Sequence, residues 1–169
     1  MQKITPFLWF DNQAEEAANF YISVFKNSKV KEVTHYTGEE PIGLKGSVMT
    51  VVFELNGQEF VALNGGPRFK FTEAVSFVVK CETQKEIDYY WEKLTADGGE
   101  EVQCGWLTDK YGLSWQVVPT KIHEWARDPA RFQRVMREIM PMKKLDLAAL
   151  ERAAEGASRP GSPSRTGGG

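Results

Sequence analysis

The sequence predicts an α+β fold in which one strand–helix–strands unit is used twice and is then followed by helices. Three observations carry this. Asn12 with Glu15 has the spacing of a helix capping box, and Thr83 with Glu86 repeats it 71 residues later. Each of these starts follows a short apolar run and precedes strand-like runs bounded by turn residues. After Pro119 the alternating pattern gives way to helical spacing. What repeats is the order of elements, not the identity of residues.

In the first half, Ile4–Phe10 is a short apolar and aromatic strand candidate. Ala14, Ala17, Ala18, Tyr21, Ile22 and Phe25 then fall on one helical face, predicting a helix over Gln13–Phe25 with Asn12 as its cap. Lys29–Thr37 alternates as a strand, and Gly38–Gly46 is a polar loop. Ser47–Leu55 and Glu59–Leu63 flank Asn56-Gly57, a strong hairpin signal. Asn64-Gly65-Gly66-Pro67 ends the sheet; it reads as a turn, with an anion-cradling backbone as the alternative.

The second half opens with the strand candidate Ala74–Cys81. Ile87, Tyr90, Trp91 and Leu94 form the next helical stripe, ended by Gly98 or Gly99. Glu101–Trp106 reads as a strand leading into a hairpin, with its turn at Thr108–Gly112 and its second strand at Leu113–Val118. Lys121–Arg127 reads as a short helix. Asp128-Pro129 caps and starts the next, with Phe132, Val135, Met136, Ile139 and Met140 on one side. That stripe is core, or else a dimer interface or a lid. Asp146 caps a last helix over Leu147–Ala154. The expected organisation is one domain over 1–155, with modules at about 1–66 and 70–120 and a helical extension at 121–155. Gly156–Gly169, with five Gly, three Ser and two Pro, is expected to be disordered.

Composition narrows the function. The chain has 169 residues, 21 Lys plus Arg against 23 Asp plus Glu, and a mean hydropathy of −0.41. No basic excess points to nucleic acid. No apolar run approaches the ~20 residues of a membrane span. The start lacks the apolar core of a signal peptide, and Cys81 and Cys104 read as buried free thiols, so the cytoplasm is the expected compartment. His35 and His123 are isolated, and no metal-ligand spacing, dinucleotide glycine motif or nucleophile elbow occurs.

In the hairpin strand, Ser114, Gln116 and Val118 share one face, and Leu113, Trp115 and Val117 the other. Gln116 is a neutral polar group among aromatics, suited to orienting a ligand and unsuited to acid–base catalysis, because an amide does not titrate. A structural hydrogen bond, or exposure to solvent on an edge, is the alternative.

Ile4-Thr5-Pro6-Phe7-Leu8-Trp9-Phe10, Ala14-Glu15-Glu16-Ala17, Phe20-Tyr21, Leu63-Asn64-Gly65-Gly66-Pro67, Cys104-Gly105-Trp106 and Tyr111-Gly112-Leu113-Ser114-Trp115-Gln116 together resemble the PhnB-like proteins. That group is also labelled the 3-demethylubiquinone-9 3-methyltransferase domain family, within the vicinal oxygen chelate superfamily. The resemblance covers about Met1–Ala154. It implies two βαβββ modules forming a cupped mixed sheet, the glyoxalase / bleomycin resistance / dioxygenase fold.

In the metal-using members, each of four strands supplies one ligand. Carried onto this chain, those positions are Pro6, Ala62, Val75 or Phe77, and Gln116, which lies four residues after Gly112. Gln116 replaces the usual glutamate and the other positions lack donors, so no metal and no cofactor is expected. The expectation is a protein binding a small, partly aromatic molecule, as bleomycin-resistance relatives do. Leu8, Phe10, Asn64, Phe77, Trp106, Ser114 and Gln116 would line the site, in a homodimer with no nucleic-acid or membrane partner. The alternative is an enzyme, either the labelled methyltransferase or a metal-dependent glyoxalase-like one.

Overall fold

The computed structural model describes residues 2–156, and the chain divides into two units, Met1–Thr72 and Glu73–Gly169. The expected disordered tail lies outside the described residues, except Gly156, which ends the last helix in a left-handed conformation.

In the first unit β1 (Phe7–Phe10), α1 (Ala14–Val24), β2 (Lys29–His35), β3 (Val48–Leu55) and β4 (Gln58–Asn64) follow in order. The sheet order is β1-β4-β3-β2, with β1 parallel to β4 and the other pairs antiparallel. Pro6 has no N–H for the ladder, so β1 begins at Phe7 rather than Ile4. Asn56 and Gly57 both take positive φ, 50° and 82°, the geometry a two-residue hairpin needs.

Register sets the two faces of this sheet. Leu8, Ala62 and Val51 lie side by side, with Phe10 beside Asn64 and Phe53 beside Phe60. That face is almost wholly buried and packs on Ala14, Ala17, Ala18 and Tyr21 of α1. The alanines let the helix approach closely, and Tyr21 stacks on Phe53 with ring centroids 6.3 Å apart. Asn12 is not the cap of α1. The cap position is Gln13, without a side-chain bond, and the Ala14 N–H donates instead to Asn64 Oδ1 at 2.8 Å. A residue 50 positions away performs the expected local function.

The second unit repeats this path with β5 (Ser76–Cys81), α2 (Gln84–Thr95), one 3-10 turn (Ala96–Gly98), β6 (Glu100–Glu101), β7 (Trp106–Thr108) and β8 (Ser114–Pro119). The order β5-β8-β7-β6, with β5 parallel to β8, has the same topology as the first sheet. Here the expected cap holds: Thr83 Oγ1 accepts from Glu86 N at 3.2 Å, and Glu86 Oε2 accepts from Glu82 N at 3.1 Å. Val79, Cys81, Leu107, Trp115 and Val117 form the buried face, matched by Ile87, Trp91 and Leu94 of α2.

The expected strand Glu101–Trp106 is broken in two. Cys104 (φ 63°) and Gly105 (φ 83°) turn the chain between β6 and β7. Gly105 is required there, because a Cβ would lie 3.0 Å from the Val117 carbonyl oxygen and 3.2 Å from Leu145.

After β8 come α3 (Ile122–Trp125), α4 (Pro129–Ile139) and α5 (Leu147–Glu155). Asp128 and Asp146 cap the last two, as their sequence predicts. Val135 and Ile139 of the apolar stripe are buried, Phe132 and Met136 are half-buried, and Met140 is 60% exposed. The linker between α4 and α5 docks on the sheet: Cys104 N donates to Met142 O at 2.7 Å and Gly105 N to Lys143 O at 2.9 Å. Gln84, at the start of α2, ties down the same segment. Its Nε2 donates to Leu145 O at 3.1 Å, and its Oε1 accepts from Leu147 N at 2.8 Å.

No helix among the described residues is long and apolar enough to cross a membrane. Replacing Gln84→Ala removes both ties and leaves a half-buried carbonyl and amide unpaired. We expect a loss of about 1–3 kcal/mol in denaturant unfolding of the full chain, with an unchanged far-ultraviolet spectrum.

Candidate ligand-binding site

Four residues of turn, 109–112, deliver β8 to the sheet, and one buried carboxylate organises them. Asp109 is 2% exposed. Its Oδ1 accepts from Tyr111 N at 2.9 Å and Leu113 N at 3.1 Å, and its Oδ2 accepts from Trp115 Nε1 at 2.9 Å. Backbone bonds Gly112 N to Asp109 O and Asp109 N to Leu113 O, each 2.9 Å, complete the turn. Gly112 takes φ 85°, as the turn requires. A carboxylate accepting three N–H groups suits burial far better than a bare one. Trp115 is thereby fixed toward α2, and its neighbours Ser114 and Gln116 are fixed toward the opposite face, open only in the sense that α2 does not cover it.

On that open face the register aligns Ser76, Ser114 and Thr108 across β5, β8 and β7, and in the next row Val78, Gln116 and Trp106. Gln116 Nε2 donates to Ser76 Oγ at 2.9 Å. Ser114 is 1% exposed, and its Oγ has no hydrogen-bond partner among the described residues. Trp106, Gln116, Ser76 and Thr108 are half-buried.

The seven residues singled out from sequence therefore separate. Trp106, Ser114 and Gln116 come together on the open face of the second sheet. Phe77 pairs in register with Trp115, packs against it at 5.6 Å, and so lies on the face toward α2. Leu8 and Phe10 are buried on the α1 face of the first sheet. Asn64 shares their face. Its amide is committed, accepting from Ala14 N and donating Nδ2–H to Val48 O at 3.1 Å. Parity along one strand tells which residues share a face, but not which face a helix will cover.

The first unit also holds a cleft of about 380 Å³ lined by Asp11, Glu15, Tyr36, Gly43, Ser47 and Gly66. The Tyr36 hydroxyl donates to the Asn64 carbonyl at its floor. The Gly65 and Gly66 N–H groups donate to Phe10 O and Asp11 O, so the amides an anion cradle would need are taken, and the turn itself falls at Pro67-Arg68, just after them. Within the second unit, a cleft of about 440 Å³ among the terminal helices is lined by Lys121, Trp125, Arg131, Arg134 and Glu151. Lys121 pairs with Glu151 at 3.2 Å, and Arg134 donates to the Ala153 and Ala154 carbonyls that end α5. The first cleft is lined in part by Asn64, Gly65 and Gly66, so sequence reasoning touched it through Asn64, while the second carries no motif and was missed.

The positions that the resemblance assigns to metal ligands do not fit a divalent ion. Ala62 and Phe77 lie on helix-covered faces, Val75 is exposed hydrocarbon, and Pro6 has no donor side chain. Gln116 and its partner Ser76 offer a neutral amide and a hydroxyl. Among the described residues no group of three or more His, Cys, Asp or Glu gathers. The thiols give no catalytic signal. Burial, with Glu86 adding to it, pushes the Cys81 thiol up to about 12. The half-buried Cys104 Sγ lies 3.9 Å from Met140 Sδ.

A family model described as 3-demethylubiquinone-9 3-methyltransferase matches residues 2–118. Among solved structures, a PhnB protein from Bacillus cereus is similar at 41% identity over 70% of this chain and 100% of that one, with a TM-score of 0.63. Protein PA1353 from Pseudomonas aeruginosa is 18% identical over 70% of this chain and 98% of its own, with a TM-score of 0.57. The fosfomycin resistance protein FosX from Listeria monocytogenes is 12% identical over 73% and 94%, with a TM-score of 0.52. The last two likenesses are of fold alone. No functionally curated protein matches the chain.

Asp109→Ala strands three donors, two of them buried, and each buried one costs about 1–3 kcal/mol. Thermal unfolding should show a large drop, and Asp109→Asn a smaller one. The Cys81 thiol is raised above its ordinary 9.0, so the unfolded chain ionises first. Its contribution to stability is complete below about pH 9 and is lost as pH rises toward 12. Iodoacetamide should modify Cys104 well before Cys81 in the folded chain, and both equally in denaturant. Equal rates in the folded chain would contradict the burial argument.

Proposed function

The chain belongs to the 3-demethylubiquinone-9 3-methyltransferase family of PhnB-like proteins, within the vicinal oxygen chelate superfamily, and from this premise we propose that it is a metal-free receptor for a small, partly aromatic molecule. The molecule lies on the open face of the second sheet, against Trp106 and Gln116. The observation that carries this reading is the chemistry at Gln116. Its Nε2 is spoken for by Ser76, which fixes the amide and leaves Oε1 directed as an acceptor. Trp106, one strand over in the same row, supplies apolar area for a ring to rest on. Neutral polar groups beside an aromatic surface suit binding and orientation. None of them is a base, an acid or a nucleophile at neutral pH.

Methyl transfer is the second reading, favoured by the description of the matching family model. It requires S-adenosylmethionine to bind. The protein is further expected to act as a homodimer in the cytoplasm. The exposed Met140 beside the half-buried Phe132 and Met136 supports the first of these, and the two free cysteines support the second.

Titration of the full chain with a library of small aromatic metabolites, followed by tryptophan fluorescence, should find ligands whose affinity is unchanged by chelator. Gln116→Leu should weaken them about tenfold, the usual worth of one oriented hydrogen bond. Stoichiometric Ni²⁺, Zn²⁺, Fe²⁺ or Mn²⁺ by elemental analysis would sink the metal-free reading. Calorimetric binding of S-adenosylmethionine would replace it with the second.

A further inference from the structure

Ser114 is an unexpected residue at its position. Its side chain is 1% exposed, yet its hydroxyl has no partner among the described residues. A buried hydroxyl left unpaired bears an uncompensated desolvation penalty, which an alanine of nearly the same size would avoid. Its surroundings are not random either. The register sets it between Ser76 on β5 and Thr108 on β7, so three hydroxyls cross three strands in one row. Ser76 already accepts from Gln116, while the Ser114 hydroxyl has no partner among the described residues. The next row holds Gln116 and Trp106.

We propose that Ser114 is a specificity-determining residue, whose hydroxyl takes one hydrogen bond from or to an uncharged ring bearing a hydroxyl or carbonyl group, with that ring resting against Trp106. The proposal depends on the small-molecule reading above and names the class of molecule. Charge decides the class. On this face the four strands carry two ionisable side chains: Lys80, four residues along β5 from Ser76 and about 13 Å of strand away, and the exposed Glu100 of β6, beside Thr108 and two strands from Ser114. An anionic group seated at Ser114 would be buried without a countercharge and on the face that carries the Glu100 carboxylate, and a cationic one would be buried about 10 Å, two strand spacings, from that solvated carboxylate. A neutral hydroxyl or carbonyl incurs no such penalty. A hydroxyl can serve either partner, because it both donates and accepts.

The test uses two probes of nearly equal size, phenol and toluene, with the full chain labelled with ¹⁵N. The readouts are the Gln116 side-chain amide and Trp106 indole N–H signals. Phenol should bind the natural chain about tenfold more tightly than toluene. Ser114→Ala should bring the two probes to the same affinity while the melting temperature of the ligand-free protein holds or rises. Ser114→Cys, close in shape but a weak hydrogen-bonding group, should give the same equalisation.

A phenol preference that survives both variants would overturn the role of Ser114. Equal binding of both probes by the natural chain would overturn it too, while leaving the receptor reading in place. If neither probe shifts the Gln116 or Trp106 signals, both readings fall together.

Discussion

The carboxylate of Asp109 is the point on which the second unit's chemistry turns. Three N–H groups converge on it, two from the turn and one from the Trp115 indole. By holding Trp115 against α2, it settles which face of β8 is covered and which is open. Alternation along the strand does the rest, and Ser114 and Gln116 fall on the side away from α2 with no further instruction. A one-residue slip would exchange the two faces and bury Gln116 under the helix.

The two sheets share strand order and a single parallel pair, yet their open faces differ in chemistry. In the first, β1 and β4 present Phe7, Trp9, Val61 and Leu63. In the second, the corresponding pair presents Ser76, Val78, Ser114 and Gln116. Topology has been kept twice, while at the parallel pair this face is apolar in one copy and mostly polar in the other. A fold that repeats need not repeat its site.

Much of this architecture could be read before the structure was known. The Thr83 cap, the Asn56-Gly57 turn, the Asp128-Pro129 start and the Gly112 turn were legible because each depends on a few adjacent residues. Asn12 misled because the donor of α1 is met by Asn64 from another strand, and no local pattern encodes that. The break between β6 and β7 was hidden for a similar reason, since it depends on Leu145 and the linker pressing on Gly105. Of the proposed site, Trp106, Ser114 and Gln116 were legible from parity within one hairpin. Leu8, Phe10 and Phe77 required knowing how parallel partners line up, which is a property of pairing and not of sequence. The orphaned hydroxyl of Ser114 could not be seen at all without its neighbours.

The family match ends at residue 118, but the architecture does not. The segment after α4 gives acceptors to the Cys104 and Gly105 amides, and Leu145 closes over Gly105. Those residues begin the strand that pairs with β8. The helical appendage is thus a splint set against the hairpin of β7 and β8. Trimming the gene to the shared region would leave two amides bare and a hydrophobic seam open, a recipe for a sticky, poorly folded product.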